Sequence, residues 1–185
     1  MRSLIRLMMI AGALAISASA AHADERSRCE ALSVDGPVKI KATLVPAGFI
    51  VPKSYYPAGN AKLHFGAGSA DGKEPPIDKV DQSFCRVEGV APAAIRFELW
   101  LPVRGWNGRM LGVGNGAMAG AIPYPAIQSG LEAGYAVVGS DLGHEGGFYD
   151  SRFTIGRPDL LVDWGHRANH VMTVEARRLI AAFYG

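Results

Sequence analysis

The fold is decided between residues 110 and 139, which read MLGVGNGAMAGAIPYPAIQSGLEAGYAVVG. Residues 110–113 form a short apolar run that predicts a strand, and residues 114–120 form a loop of small residues. Residues 125–133 are typical of a short helix, and residues 135–139 predict a continuous apolar strand. Because such strands occur inside parallel sheets covered by helices, this stretch predicts an α/β fold.

The flanking segments add strands and one long helix to this pattern. Apolar residues alternate in residues 37–45, and two further strands are predicted at residues 84–90 and 95–101. The pair Asn107-Gly108 is a hairpin signal, so residues 110–113 are predicted to return antiparallel to the preceding strand. Residues 164–184 carry apolar side chains at helical spacing. We therefore expect a parallel α/β sheet with helices on both faces.

The first residues predict export. Arg2 and Arg6 precede an apolar run over residues 7–16, and small residues lead to Ala21-His22-Ala23, as in a secretory signal peptide. We predict cleavage after Ala23, with residues 18–20 as a second candidate site. The apolar run has about ten residues whereas a spanning helix needs ~20, so no stable membrane anchor is expected. The prediction is a secreted or periplasmic protein with a signal peptide at residues 1–23 and one domain at residues 24–185.

Charge argues against two classes of partner. The chain has 19 Lys and Arg residues against 17 Asp and Glu residues, and the leader arginines Arg2 and Arg6 account for the whole excess. A neutral mature chain lacks the basic surface that phosphate backbones or anionic lipids require. Nucleic acid and membrane surfaces are therefore not expected partners.

The chain has two cysteines, Cys29 and Cys85. In an exported protein, such a pair favours a disulfide over a redox or metal site. The bridge would close a loop of about 57 residues. By lowering the entropy of the unfolded chain, such a bridge stabilises the folded state by ~4 kcal/mol.

The loop at Gly114-Asn115-Gly116-Ala117 is the main candidate site. Small residues after a buried strand let backbone N–H groups face a ligand, as an oxyanion hole requires, and Gly116 and Ala117 are the candidate donors. A tight strand-to-helix turn without a chemical role is the alternative. A nucleotide site is not expected, because the loop is not a Walker motif.

No complete catalytic triad is expected in these residues. No serine has glycine both two residues before and two residues after it, so a nucleophile elbow is not present in the sequence. In α/β-hydrolases the histidine follows the nucleophile, so His166 and His170 are predicted to pack or cap rather than act as bases or bind zinc. Asp141, His144 and Glu145 could hold a metal, but a loop after a buried strand also needs polar side chains for its own backbone. We favour the second role.

Seven segments together resemble the tannase and feruloyl esterase family. They are Phe84-Cys85-Arg86-Val87, Phe97-Glu98-Leu99-Trp100-Leu101-Pro102, Trp106-Asn107-Gly108-Arg109, Gly112-Val113-Gly114-Asn115-Gly116, Gly134-Tyr135-Ala136-Val137, Asp141-Leu142-Gly143-His144 and Phe183-Tyr184-Gly185. The combination is far more specific than any one segment.

The resemblance implies the N-terminal part of an α/β-hydrolase, cut before its nucleophile elbow, that cleaves small esters of aromatic acids such as gallate or ferulate. In the family a Cys-Ser-x-Gly-Gly elbow follows Phe-Tyr-Gly, and a large lid domain often holds calcium. Cys29 and Cys85 match the family's early cysteine pair, whereas Ala117 stands where the family commonly has a second glycine. The 185 residues alone are therefore expected to be inactive. A non-catalytic periplasmic binding or structural module, or a pseudogene remnant, is the alternative.

Overall fold

The computed structural model describes residues 21–52 and 79–185. The strands are β1 (Lys39–Val45), β2 (Phe84–Ala91), β3 (Ile95–Pro102), β4 (Met110–Val113) and β5 (Ala136–Ser140). The helices are α1 (residues 21–30), α2 (Tyr124–Glu132), α3 (Pro158–Val162) and α4 (Ala168–Tyr184), with a π-helical turn at Asp163–Arg167 between the last two. Most predicted elements therefore fall within one or two residues of their observed bounds.

The strands form one sheet in the order β1-β2-β3-β5-β4. The first three pairs in that order are antiparallel, and β4 and β5 are parallel. The prediction of a parallel sheet is therefore wrong for all but one pair. The predicted hairpin between residues 95–101 and 110–113 is also wrong, because β5 lies between β3 and β4.

The contacts of the turn before β4 explain why no hairpin forms. The N–H of Asn107 donates to the carbonyl of Gly134 at 2.9 Å, and its side-chain amide donates to the carbonyl of Ala133 at 3.2 Å. Asn107 thus binds the turn that ends α2 instead of closing a turn on β3. The chain passes over the start of β5 to the far side of that strand.

Helices cover both faces of the sheet, as predicted. Val137 packs with Ile127 and Leu131 of α2, in a group of buried residues that we call the α2-side core. Its neighbour Val138 packs with Met172 and Leu179 of α4, in the α4-side core. Because successive strand residues point to opposite faces, a fully buried strand such as β5 serves both cores.

A disulfide joins Cys29 of α1 to Cys85 of β2, which confirms the predicted pair; their Cα atoms lie 5.6 Å apart. Arg28 donates to the carbonyl of Val103 and lies over the ring of Phe183, so α1 also contacts the end of α4.

The prediction of a signal peptide falls mainly on residues that are not described. Residues 1–20 of the predicted leader are outside the described ranges. None of the helices within residues 21–52 and 79–185 combines the length and apolar character that crossing a membrane requires.

Candidate functional site

The candidate site lies at the carboxyl ends of the two parallel strands. Residues 114–120 follow β4 and residues 141–148 follow β5, so both loops leave the sheet at the same edge. Gly120 and Gly146 form an antiparallel bridge with N–O distances of 3.0 and 3.2 Å, which joins the loops side by side. In open α/β sheets, ligands bind in the crevice beyond these strand ends.

A tight turn at Gly116–Ala119 forms the tip of the first loop. The N–H of Ala119 donates to the carbonyl of Gly116 at 3.1 Å, and Ala117 has a φ of 46°. The N–H groups of Gly116 and Ala117 donate to no acceptor among the described residues. In a trans peptide the N–H points opposite to the C=O, so the N–H of Ala117 points away from the turn interior. The turn therefore presents two unused donors.

The second loop holds this turn from one side. The N–H of Met118 donates to the carbonyl of Phe148 at 3.0 Å, and the carbonyl of Met118 lies 3.0 Å from Nε2 of His144. The ring of Phe148 lies against Gly116, where a Cβ would come within 2.6 Å of its Cε2. The two loops therefore pack as one unit.

The end of β5 and the π-helical turn also hold the first loop. Nδ2 of Asn115 donates to the carbonyl of Ser140 at 3.0 Å, which ties the loop to the end of β5. Nε1 of Trp164 donates to the carbonyl of Ala117 at 3.2 Å. A π turn widens the helix locally, and such turns are frequent at functional sites. Here it contains the indole that contacts the loop.

The carboxylate of Asp141 accepts hydrogen bonds from backbone N–H groups, as the sequence analysis predicts. Its Oδ1 accepts hydrogen bonds from the N–H groups of Gly143 and Arg96, and its Oδ2 accepts one from Nε of Arg96 at 2.8 Å. Burial raises the pKa of Asp141, although these hydrogen bonds and the cation oppose the shift. Arg96 also pairs with Glu145. Within residues 21–52 and 79–185, no three His, Cys, Asp or Glu side chains converge as a metal site would require.

The two helical histidines stand apart from the loops. The rings of His166 and His170 lie 5.8 Å apart and nearly parallel, in the π turn and α4. The buried Oδ1 of Asn115, in the first loop, and the buried Oδ2 of Asp163, beside Gly143 of the second loop, accept no hydrogen bond from any described residue. Asp163 also pairs with Arg167 through its other oxygen.

A buried ionic cluster fixes the start of α2, which follows the first loop. Glu98 accepts hydrogen bonds from Nε of Arg86 at 2.8 Å, from the Tyr124 hydroxyl at 2.6 Å and from Nε1 of Trp100 at 2.8 Å. Burial is the main cause of the raised pKa of Tyr124, with the charge of Glu98 second. The cluster lies on the face of the sheet that α2 covers. None of these hydrogen bonds involves Gly116 or Ala117.

The structure keeps the predicted donors Gly116 and Ala117 in one turn, but the residues that hold that turn were not predicted. Met118, Phe148 and Trp164 carry no recognisable motif, and the contact of His144 with Met118 joins residues 26 positions apart. The only sequence signal was that the small-residue loop and the loop from Asp141 both follow predicted strands.

Comparison with known proteins gives consistent matches. The chain is 35% identical over 190 residues to an uncharacterized esterase of Xanthomonas campestris pv. campestris, with 99% of this chain covered. It is 37% identical over 140 residues to a probable feruloyl esterase B-2 of Aspergillus flavus, with 71% of this chain covered. The crystal structure of feruloyl esterase B from Aspergillus oryzae matches 86% of the chain with a TM-score of 0.66 and 25% identity.

The chain spans only part of each of these proteins: 29% of the Xanthomonas esterase, 25% of the A. flavus protein and 30% of the crystallised enzyme. Residues 79–185, which contain both loops of the candidate site, match the family described as Tannase and feruloyl esterase. Because this match covers more than half of the sequence, the chain belongs to the tannase and feruloyl esterase family.

Proposed function

We propose that the intact protein is a serine carboxylic-ester hydrolase that acts on small esters of aromatic acids. The observation that carries this proposal is the turn at Gly116–Ala119, with two unused amide donors beyond the ends of parallel strands. Family membership supplies the reaction class, and the turn supplies the part of the reaction that these residues can perform.

In this proposal the substrate carbonyl oxygen lies at the turn while a serine from outside these 185 residues attacks the carbonyl carbon. The Oγ–C bond forms, the serine proton passes to a base, and the carbonyl oxygen becomes negative. The N–H of Gly116 or Ala117 donates to that oxygen. One such donor is worth ~3 kcal/mol of transition-state stabilisation, because it binds the charge only as it develops.

The tetrahedral intermediate then breaks its bond to the alcohol, which leaves with the proton from the base. The resulting acyl-enzyme is attacked by water in the second half of the reaction.

Two aromatic rings beside the turn favour a substrate with an aromatic acyl group. The ring of Phe148 lies against Gly116, and Tyr149 packs edge-to-face on Phe148 with ring centroids 4.8 Å apart. Flat rings favour such offset and edge contacts.

The remaining parts of the proposal follow from the sequence. Residues 1–23 direct export to the periplasm or the medium, and residues 24–185 are an incomplete α/β-hydrolase domain. The triad, the lid domain and any calcium of the family belong to other residues of the protein. No three His, Cys, Asp or Glu side chains of residues 21–52 and 79–185 converge to hold a metal ion, and the proposed steps use no calcium. The 185 residues by themselves are then inactive.

The test uses the complete reading frame that contains these residues. A Cys-Ser-x-Gly-Gly segment soon after codon 185, followed later by Asp and His codons, is expected. The purified product should hydrolyse methyl ferulate or methyl gallate faster than methyl acetate, and a fluorophosphonate should label the serine. The 185-residue chain is the matched control and should show neither activity nor labelling. A complete product without an elbow and without ester hydrolysis would favour a non-catalytic binding module.

A further inference from the structure

We propose that His144 is a positioning residue for this esterase site, acting through a hydrogen bond from its Nε2–H to the carbonyl of Met118. The inference rests on the proposed function, because it concerns the turn that would hold the negative oxygen. His144 does not touch the substrate in this proposal. Its role is to fix the direction of the amide groups that do.

The contacts of the His144 side chain are consistent with a fixed ring. The residue is 7% exposed, and its ring stacks on Phe153 with centroids 3.6 Å apart. On another side it lies so close to Gly120 that a Cβ there would come within 2.7 Å of Nε2. The ring is therefore held by packing before its hydrogen bond is considered.

The chemistry of the partner decides which ring nitrogen carries hydrogen. A carbonyl oxygen only accepts, so Nε2, at 3.0 Å from the oxygen of Met118, must be the donor. Nδ1 lies 3.5 Å from the carbonyl of Leu142, at the limit of hydrogen-bond distance. The short contact across the two loops is thus the principal one.

This bond completes a series of three. The consecutive carbonyls of Gly116, Ala117 and Met118 accept from the N–H of Ala119, from the indole of Trp164 and from His144, respectively. Because each peptide unit is planar, fixing a carbonyl also fixes the N–H of the following residue. The peptide after Met118 is held at its C=O by His144 and at its N–H by the bond from Ala119 to the carbonyl of Gly116, which shares a peptide unit with the N–H of Ala117. Without His144, only that 3.1 Å bond would hold this peptide in place.

The left-handed φ of Ala117 makes this restraint necessary. Non-glycine residues are strained in that region and persist there when the surroundings hold them. Rotation of the peptide after Met118 would let the turn relax and move the donors of Gly116 and Ala117. A displacement of about 1 Å at such donors can lower a rate roughly 100-fold.

The experiment compares His144→Gln with His144→Met in the complete protein. The two replacements have similar length and volume, but only glutamine has an N–H donor that can reach the Met118 carbonyl. His170→Gln and His170→Met, on the exposed side of α4, are the matched controls. For each protein, kcat per serine is measured on an aromatic ester after titration of active sites by the acyl-enzyme burst, together with KM and the melting temperature.

We expect His144→Met to lower kcat per active site roughly 10- to 100-fold with KM changed less than about threefold. His144→Gln should recover most of that loss, and both His170 variants should match the wild type. Hydrogen exchange of residues 114–120 should be faster in His144→Met than in His144→Gln.

Four results would overturn the inference. Equal kcat in the methionine and glutamine variants would mean that packing alone matters, and so would equal exchange rates in the loop. A His144→Met variant with wild-type kcat would mean that the bond does not position the donors. A wild-type protein without burst or turnover on any aromatic ester would instead refute the proposed function itself, and this inference with it.

Discussion

Breaking the disulfide between Cys29 and Cys85 should destabilise the protein more than any other change to α1. The two cysteines are 56 positions apart, and the bridge connects α1 to a central strand of the antiparallel part of the sheet. Without it, α1 is held by polar contacts such as Arg104 with Glu25 and Arg28 with Val103. Arg104 is largely exposed, so this ion pair contributes little.

The magnitude follows from the length of the closed loop. For about 57 residues, the bridge removes ~14 cal/mol/K from the unfolded chain, which corresponds to ~4 kcal/mol at 25 °C. In a protein of this size, that loss lowers the melting temperature by about 8 to 16 °C. Replacing either cysteine with alanine adds roughly 1 kcal/mol for the buried sulfur, because both side chains are fully buried.

The assay is equilibrium urea unfolding of the oxidised protein, the reduced protein, Cys29→Ala, Cys85→Ala and the double variant. The reduced protein keeps both sulfur atoms, so it isolates the loop contribution from the loss of packing. Either single variant breaks the bridge, so it should lose all of the stabilisation from the closed loop and the packing of one sulfur. The double variant should lose only the packing of the second sulfur in addition. The double-mutant cycle should therefore give a coupling energy of about 4 kcal/mol.

A coupling energy below about 1 kcal/mol would refute this reasoning. It would mean that the unfolded chain is already restricted between these positions, or that the bridge strains the folded state. Equal stability of the oxidised and reduced proteins would lead to the same conclusion without any substitution.

Four further changes test other parts of the structure. Ala117→Gly should raise the free energy of unfolding by up to about 1 kcal/mol in urea unfolding, because glycine accepts the left-handed φ of 46° without strain; a loss of stability would contradict this. Glu98→Gln should cost about 3 kcal/mol, because Arg86 keeps its largely buried charge without its main partner; the control Glu88→Gln, at a half-exposed residue, should cost under about 1 kcal/mol. Burial raises the pKa of Asp141 above 3.8, so the folded protein holds this proton more tightly than the unfolded chain does. The stability of the wild type relative to Asp141→Asn should therefore fall as the pH rises from 3.8 through the raised pKa. Urea unfolding between pH 4 and 7 measures this difference, and an increase in favour of the wild type would refute the prediction. In the 185-residue chain alone, amides of Met110–Val113 that do not pair with β5 should exchange hydrogen rapidly, whereas protection equal to that in the complete protein would mean that this edge is not open.

The strands could be predicted because their local sequence carries the signal. In β3, Ile95, Phe97 and Leu99 alternate with residues on the other face, and β5 is apolar except for its last residue because both of its faces are covered. Such patterns depend only on burial. They say nothing about which strands are neighbours.

The order of the strands could not be predicted because a turn signal describes local backbone preference only. Asn107-Gly108 suits a hairpin, and Gly108 does have a positive φ. The N–H and the side-chain amide of Asn107, however, donate to the carbonyls of Gly134 and Ala133. Those partners lie 26 or more residues further along the chain. A tertiary contact therefore decides what the dipeptide forms.

The long helical pattern near the end of the chain has the same limitation. Residues 164–184 were predicted as one helix, whereas the α-helix begins at Ala168 and residues 163–167 form a π turn. Asp163 pairs with Arg167 four positions later, which an α-helix would also allow. The apolar spacing of α4 therefore gives no sign of the local widening before it.

The open edge of β4 limits where a nucleophile can enter the proposed site. Among the described residues, β4 pairs only with β5, and its residues are half-buried or exposed, whereas β5 is buried throughout. The turn with the two donors follows β4 directly, and a serine must lie close to the carbon whose oxygen they bind. In the proposed mechanism, we therefore expect the segment with the nucleophilic serine to lie beside β4 rather than on the β1 side of the sheet.

Positions 116, 117 and 120 of the first loop differ in whether they have space for a Cβ atom. At Gly116 a Cβ would come within 2.6 Å of the Phe148 ring, and at Gly120 it would come within 2.5 Å of the His144 carbonyl. Either substitution would separate the two loops and displace the donors. Ala117 is exposed, so its methyl group is tolerated and only its φ is strained. Space between the loops therefore requires glycine at positions 116 and 120, whereas position 117 tolerates alanine at a cost of about 1 kcal/mol without loss of its N–H donor.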